Sequence, residues 1–298
     1  MKAISGKIGT WILGLGLFCV LFSCTKEEAL PDLTQPLWHG NAISYSGYRE
    51  GQNPQLFIYP SQEEITEDLK ILAKNWKLIR TYGSDRHSED VLQVIRREGI
   101  GLKLMLGVWL DGEPGHEEDN ARQIETCIRL ANEYPDIVCA INVGNEILVH
   151  WSDHKVPEEK VISYVRQVQA AVDVPVTVAD DFMYWIEEGS RLAGVVDFVT
   201  MHTYPVWGRQ DIDTAMPSTI STFERVRAAV GGKTVVIGEV GWPTYTVGDL
   251  HVPRAGDENK QMIYYTALNK WAQESQVTVF YFEAFDEPWK GTGTEGHW

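Results

Sequence analysis

The chain has 298 residues, a formal net charge of −16 and an apolar share of 44%. Such acidity repels nucleic acid and anionic lipid, so neither is expected as a partner, whereas a neutral substrate is indifferent to it. The apolar share is ample for a core, and the length fits two small domains or one α/β barrel.

The first stretch reads as a leader. Lys2 and Lys7 precede an apolar run from Ile8 to Phe22, broken by Gly14 and Gly16. That run is too short to span a bilayer comfortably and has the charge layout of a secretory signal. The LFSC at 21–24 resembles a bacterial lipobox, whose cysteine becomes the lipidated first residue; an ordinary signal peptide with an incidental Cys24 is the alternative. The TKEE at 25–28 resembles the acidic tag of bacterial surface lipoproteins. The expectation is a signal peptide over 1–23, lipidation at Cys24 and a tether over 24–40. The protein would then sit on the outer membrane and face the cell surface, touching membrane only through that lipid; a periplasmic or secreted location is the alternative. Cys19 leaves with the leader. Cys127 lies in a helical pattern and Cys139 in a strand, which favours two buried free thiols over a disulfide.

From 41 to 298 short β-rich runs alternate with helical patterns. The strand candidates are 42–48, 78–83, 102–109, 138–146, 175–181, 197–205, 234–242 and 278–285. Between the first two, Ser61 and Glu64 form a capping box, after which Ile65, Leu69, Leu72 and Trp76 recur at helical spacing. Pro157 suits a first helical turn, and Val161, Val165, Val168 and Val172 continue one face. Apolar runs alternating with amphipathic helices indicate parallel strands covered on both sides, and this number of units indicates a single-domain (β/α)8 TIM barrel. The chain stops at Trp298 soon after the last run, so a short loop covers that seam or the barrel is truncated there.

In barrels of this kind the active site lies at the C-terminal ends of the strands. The fourth run ends in Glu146 and the seventh carries Glu239, so two carboxyl groups face one mouth. Glycoside hydrolysis requires such a pair: one carboxyl, kept protonated, donates to the leaving oxygen, and the other attacks or activates water. One glutamate at a strand end reads equally well as a loop cap or an ion-pair partner. A second on the seventh strand makes that reading harder.

NVGNEI at 142–147, GEVGWP at 238–243 and FEAFDEPWK at 282–290 resemble glycoside hydrolase family 17, the β-1,3-glucanases, in order and in strand placement. The resemblance implies a retaining barrel with Glu146 as acid/base and Glu239 as nucleophile, acting on laminarin-like β-glucan, with mixed-linkage β-1,3/1,4-glucan the nearest rival. Asn145 can donate to a sugar hydroxyl beside the nucleophile, cap the strand end, or do both. The family's Glu and Lys near the acid/base map to Glu287 and Lys290, whose pairing would bias the site; a surface ion pair is the alternative. Glu283 either bonds a sugar hydroxyl or is a buried structural group. Tyr82 in RTYG resembles the tyrosine the family holds near the cleaved sugar, Tyr45 sits in its SYSGY motif, and Tyr204 bonds the nucleophile by analogy with related retaining barrels.

Aromatic residues gather at or just beyond the strand ends: Tyr45, Tyr48, Tyr82, Trp109, Trp151, Trp185, Tyr204, Trp207, Trp242 and Trp289. Sugar rings stack their apolar faces on such side chains, although any one of them alone reads better as packing. No cofactor is expected, and the chain is expected to act as a monomer. Metal ligation by His202 with Asp180 and Asp181 lacks an H-x-H or H-E-x-x-H pair, so these read as satisfied or substrate-facing groups. GTGTEG at 291–296 fits a dinucleotide expression without the helix it needs. A transglycosylase using the same residues, and a silent surface glycan-binding protein, are the competing functions; the second has no need of paired carboxylates.

Overall fold

Strands covered on both faces are largely apolar, and in this chain most of their polar residues stand toward the C-terminal ends. The computed structural model describes residues 38–248 and 255–298. The strands are β1 (Ala42–Ser44), β2 (Leu78–Arg80), β3 (Lys103–Val108), β4 (Val138–Asn145), β5 (Val176–Asp181), β6 (Val199–His202), β7 (Val235–Val240) and β8 (Val279–Tyr281). Each pairs in parallel with the next, and β1 also pairs with β8, so the sheet closes into a barrel in sequence order. The expected (β/α)8 fold is therefore the observed one.

The covering helices are α1 (Gln62–Leu72), α2 (Arg86–Glu98), α3 (Glu117–Glu133), α4 (Glu158–Gln169), α5 (Phe182–Glu187), α6 (Ser190–Ala193), α7 (Ile212–Ala229) and α8 (Glu258–Glu274). Both bonds of the Ser61 capping box form, and Ile65, Leu69 and Leu72 turn inward from α1. Pro157 occupies the N-cap of α4, one place before the expected first turn, and Val161, Val165 and Val168 are buried. Cys127 and Cys139 are free and buried. The signal peptide, Cys24 and the tether up to residue 37 lie outside the described residues.

Side-chain alternation along a strand sorts the interior by depth. Trp38, Ala42, Leu78, Met105, Phe198, Val236 and Phe280 belong to one apolar cluster at the N-terminal end of the barrel. Two residues further along the same strand faces come Ser44, Arg80, Thr200 and Gly238, and then His202. The interior thus turns polar at the end where the strands finish.

The seam between β8 and β1 closes by strand pairing, Ala42 with Phe280 and Ile43 with Tyr281, without a final helix among the described residues. After β8 the chain takes 3-10 turns at Pro288–Lys290 and Thr294–Gly296. Trp298 then packs on Tyr204 and Phe282, with ring centroids 4.8 and 5.9 Å away.

Candidate active site

Both carboxylate-bearing strand ends carry an irregularity that strict alternation would not supply. In β7, Glu239 shares parity with Val235 and Ile237, whose side chains pack outward among the helices. The pairing with β6 slips between Met201↔Ile237 and His202↔Glu239, and this bulge aims Glu239 into the mouth. Gly238 at the slip allows it, because a Cβ there would lie 2.4 Å from the Thr200 side chain. In β4 the register with β5 shifts between Asn142 and Asn145. Gly144 at φ 92° and Glu146 at φ 50° then turn the chain so that the Glu146 carboxyl faces inward, a conformation that glycine adopts freely and glutamate rarely.

One oxygen from each carboxyl and one nitrogen of His202 lie within 4.8 Å of one another. His202 is fully buried between them: its Nδ1 is 2.8 Å from Glu146 Oε1, and its Nε2 is 3.6 Å from Glu239 Oε1. Nε2 also lies 3.2 Å from Nη1 of Arg80, which can only donate. A neutral imidazole therefore carries its proton on Nδ1 and donates to Glu146.

Arg80 forms the floor. Its guanidinium, fully buried, donates from Nη1 to Glu239 Oε1 at 2.9 Å and to the Gly238 carbonyl at 2.9 Å, and from Nη2 to Asn145 Oδ1. Because an arginine cannot accept, the Asn145 amide must present its oxygen to Arg80, which leaves the NH2 group to donate elsewhere. The other Glu239 oxygen accepts from the Tyr204 hydroxyl at 2.6 Å. Burial pushes the Glu239 pKa up, but attraction to His202 once protonated, the Arg80 guanidinium and the Tyr204 hydroxyl outweigh it, and the net shift is downward. Glu239 is thus built to stay ionised. Glu146 differs: its side chain is 31% exposed and has His202 as its neighbour.

Among the described residues, Glu146, His202 and Glu239 also form a group whose atoms lie close enough together to hold a metal ion. The Arg80 guanidinium already occupies the anionic side of that triangle, and the donor set is engaged in hydrogen bonds, so the arrangement is that of a proton-handling network. Asp180 and Asp181 stand apart from it as satisfied groups. Asp180 accepts from the Leu148 and Asp181 amides at 2.8 and 2.9 Å, and Asp181 caps α5 through the Met183 amide at 2.8 Å. Burial, with Glu146 nearby, pushes the Asp180 carboxyl up to about 7.

The segment after β8 brings a second charged group. Glu287 is buried and accepts from Lys290 and, at 3.1 Å, from Trp289 Nε1, so this pair is internal. Burial opposes the Lys290 charge, but Glu287, Glu283 and Glu239 outweigh it and hold the amine above its usual range. Burial, and then Glu287, raises Glu283 well above the usual carboxylate range, and its Oε1 has no hydrogen-bond partner.

The aromatic set divides. Tyr45 is wholly buried and donates to Asp68 at 3.0 Å, and Trp242 is wholly buried with Nε1 donating to the Ala255 carbonyl at 2.7 Å, so neither offers a face to a sugar. Both stand at strand ends, as expected, but their rings turn into the packing. Tyr48 and Trp185 are likewise buried. Trp109, Trp151 and Trp207 are exposed, and Tyr82, Tyr204 and Trp289 are partly so. Arg80 escaped the sequence reading although it lies in the same RTYG stretch as Tyr82. Its signal was there: an arginine in an otherwise apolar strand must find a buried anion.

The model of the BtgE/BtgC glycoside hydrolase domain matches residues 42–298, the whole barrel. The chain belongs to that family. The BtgE/BtgC assignment agrees with the resemblance to glycoside hydrolase family 17. Within it, a glucan endo-1,3-beta-glucosidase btgC of Emericella nidulans is 31% identical over 253 residues, 78% of this chain and 38% of that protein. The chain thus spans well under half the length of such curated relatives. A glucan 1,3-beta-glucosidase of Schizosaccharomyces pombe is 28% identical over 77% of this chain and 74% of its own. Among solved structures, an endo-laminarinase from Formosa Hel1_33_131 superposes with a TM-score of 0.78 at 31% identity, covering 87% of this chain and 83% of that one. A β-1,3-glucanosyltransferase of Rhizomucor miehei shares the fold, with a TM-score of 0.73 at 23% identity over 88% of this chain and 92% of its own.

Proposed function

We propose that this BtgE/BtgC barrel is a retaining, endo-acting β-1,3-glucanase that hydrolyses laminarin-like glucans. The observation that carries the reading is the approach of the Glu146 and Glu239 carboxyls, with one oxygen of each inside a 4.8 Å triangle. Retaining glycosidases hold their carboxyls about 5–5.5 Å apart and inverting ones about 6.5–9.5 Å, because the latter must admit a water. The names of the Emericella relative and the Formosa neighbour support the substrate class.

In the first step the ionised Glu239 attacks the anomeric carbon, the bond to the glycosidic oxygen breaks, and Glu146 passes its proton to that oxygen. With His202 donating to Oε1, Glu146 carries the transferable proton on Oε2. In the second step Glu146 takes a proton from water, the hydroxide oxygen bonds the anomeric carbon, and Glu239 leaves as carboxylate, so the product keeps the β configuration. The free Asn145 NH2 is aimed at a hydroxyl of the reacting ring, where a hydrogen bond strengthens as positive charge develops. Tyr204 and Arg80 hold Glu239 ionised and oriented, and Tyr82 and Lys290 lie near enough to interact with its charge.

The location proposed with this function is the outer face of a bacterial outer membrane, attached through lipid on Cys24, the chain acting as a monomer. It is supported by the leader pattern and the LFSC sequence.

The test is incubation of the purified chain with laminarin, lichenan and short β-1,3-oligosaccharides, alongside Glu146→Gln and Glu239→Ala. A ladder of oligosaccharides from laminarin, abolished in both variants, is expected. Wild-type hydrolysis by Glu239→Ala contradicts the assignment, and products longer than a short donor would redirect it to transfer.

A further inference from the structure

Tyr204 stands two places beyond β6, outside the strand ladder, and its hydroxyl lies 2.6 Å from Glu239 Oε2. A phenol turns about two side-chain torsions, so holding that bond requires neighbours that stop the ring. Two rings do so. Phe282 meets Tyr204 edge-on, with centroids 5.8 Å apart at 90°, and Trp298 lies against it at 4.8 Å and 63°. Trp298 also touches Phe282 at 5.9 Å and is only 3% exposed, although it belongs to no strand or helix.

The segment that carries Trp298 is tied down at two points. The His297 carbonyl accepts from the Thr244 amide at 2.9 Å and from Thr244 Oγ1 at 3.3 Å, which fastens it to the loop after β7. The Gly296 carbonyl accepts from the Glu287 amide at 3.2 Å, which fastens it to the segment after β8. Gly241 in GEVGWP leaves the indole its room: a Cβ there would overlap the Phe282 carbonyl and stand 3.3 Å from Trp298 Cε3. The chain beyond β8 is thus led back to the ring that bonds the nucleophile.

We infer that Trp298 is a positioning residue for Glu239 and acts through Tyr204. Its indole closes the aromatic box around the phenol, which keeps the hydroxyl from swinging off Glu239 Oε2. Arg80 fixes Oε1, so the two bonds together set the plane of the attacking carboxylate. A shift of about 1 Å in a reacting group can cost roughly 100-fold in rate. The inference rests on the glucanase reading above and adds to it a residue that touches neither Glu239 nor, being buried, the sugar.

The experiment compares Trp298→Leu and Trp298→Phe with wild type on laminarin, each alone and combined with Tyr204→Phe. Leucine keeps the site apolar without a ring edge. Trp298→Leu is expected to lower kcat about tenfold with KM little changed, and to move the acidic limb to higher pH, because a loosened Tyr204 bond holds Glu239 less firmly ionised. The charged groups around Glu239 are Arg80 of β2, Glu146 after β4, His202 of β6 and, after β8, Glu283, Lys290 and Glu295, and these variants leave all of them in place. Trp298→Phe recovers most of both effects. In the Tyr204→Phe background Trp298→Leu should cost less than about twofold, since the hydroxyl it positions is gone. Wild-type kinetics in a folded Trp298→Leu variant overturn the inference, as does a raised KM at unchanged kcat or an equal loss in both backgrounds. If wild type leaves laminarin intact the glucanase reading fails, and urea unfolding still judges this one. The stability lost in Trp298→Leu should then narrow as pH falls through the native Glu239 pKa, and should not narrow in the Tyr204→Phe background; a loss independent of pH overturns the inference.

Discussion

Replacing Arg80 with methionine removes the charge and keeps much of the stem volume, which isolates the role of the guanidinium. In the native protein that group is fully buried and donates to Glu239 Oε1, to the Gly238 carbonyl and to Asn145 Oδ1. Removing it leaves a buried carboxylate without its strongest fixed partner, and breaking a buried ion pair from one side costs about 3–5 kcal/mol. The pH dependence follows from the sign of the Glu239 shift. Its native pKa is lowered, so it contributes stability that is present above the unfolded carboxylate pKa and is lost as pH falls through the native one. In Arg80→Met burial wins and the native pKa rises, so the loss of stability relative to wild type is largest near neutral pH and shrinks in acid. Urea unfolding at several pH values measures this directly. The acidic limb of laminarin hydrolysis should move to higher pH in parallel, since less Glu239 is ionised at a given pH. A stability loss under about 1 kcal/mol, the range of an exposed pair, together with an unmoved acidic limb, would refute the assignment of Arg80 as the counter-charge of Glu239.

Tyr204→Phe deletes the 2.6 Å hydroxyl bond to Glu239 Oε2; a hydrogen bond to a charged group is worth about 1.5–3 kcal/mol, so kcat/KM should fall roughly 10- to 100-fold, and steady-state kinetics near wild type would exclude it. Asp180, raised to about 7 by burial and by Glu146, binds its proton more tightly in the folded chain than in the unfolded one. Its contribution is therefore lost as pH rises toward the native pKa. The unfolding free energy should drop by about 2–3 kcal/mol between about pH 5 and about pH 8, and Asp180→Asn should flatten that slope. Lys290→Met strips the cation from buried Glu287, and a fall in thermal midpoint larger than for exposed pairs such as Lys270–Glu274 is expected by calorimetry.

The barrel was legible because doubly covered strands are largely apolar and helices between them must be amphipathic. Every strand run found in the sequence contains an observed strand, from Ala42–Ser44 to Val279–Tyr281. The two glutamates were legible because strand ends define the mouth. What the sequence could not show is direction. Period-two alternation turns Glu239 outward, and the register slip beside Gly238 that turns it inward depends on pairing with β6. The same gap misplaced Tyr45 and Trp242, whose rings point into the packing. His202 reads from the sequence only as a satisfied or substrate-facing group, and Arg80 is passed over, because their roles come from the atoms that converge on them across β2, β4, β6 and β7.

The central claim is retention through attack by Glu239. Proton NMR of the anomeric region during the first minutes of laminari-oligosaccharide cleavage tests it most directly. The new reducing end is expected to appear first as the β anomer and only later to mutarotate. Initial appearance of the α anomer would mean that a water, not Glu239, attacks the anomeric carbon, and would rule out Glu239 as the nucleophile.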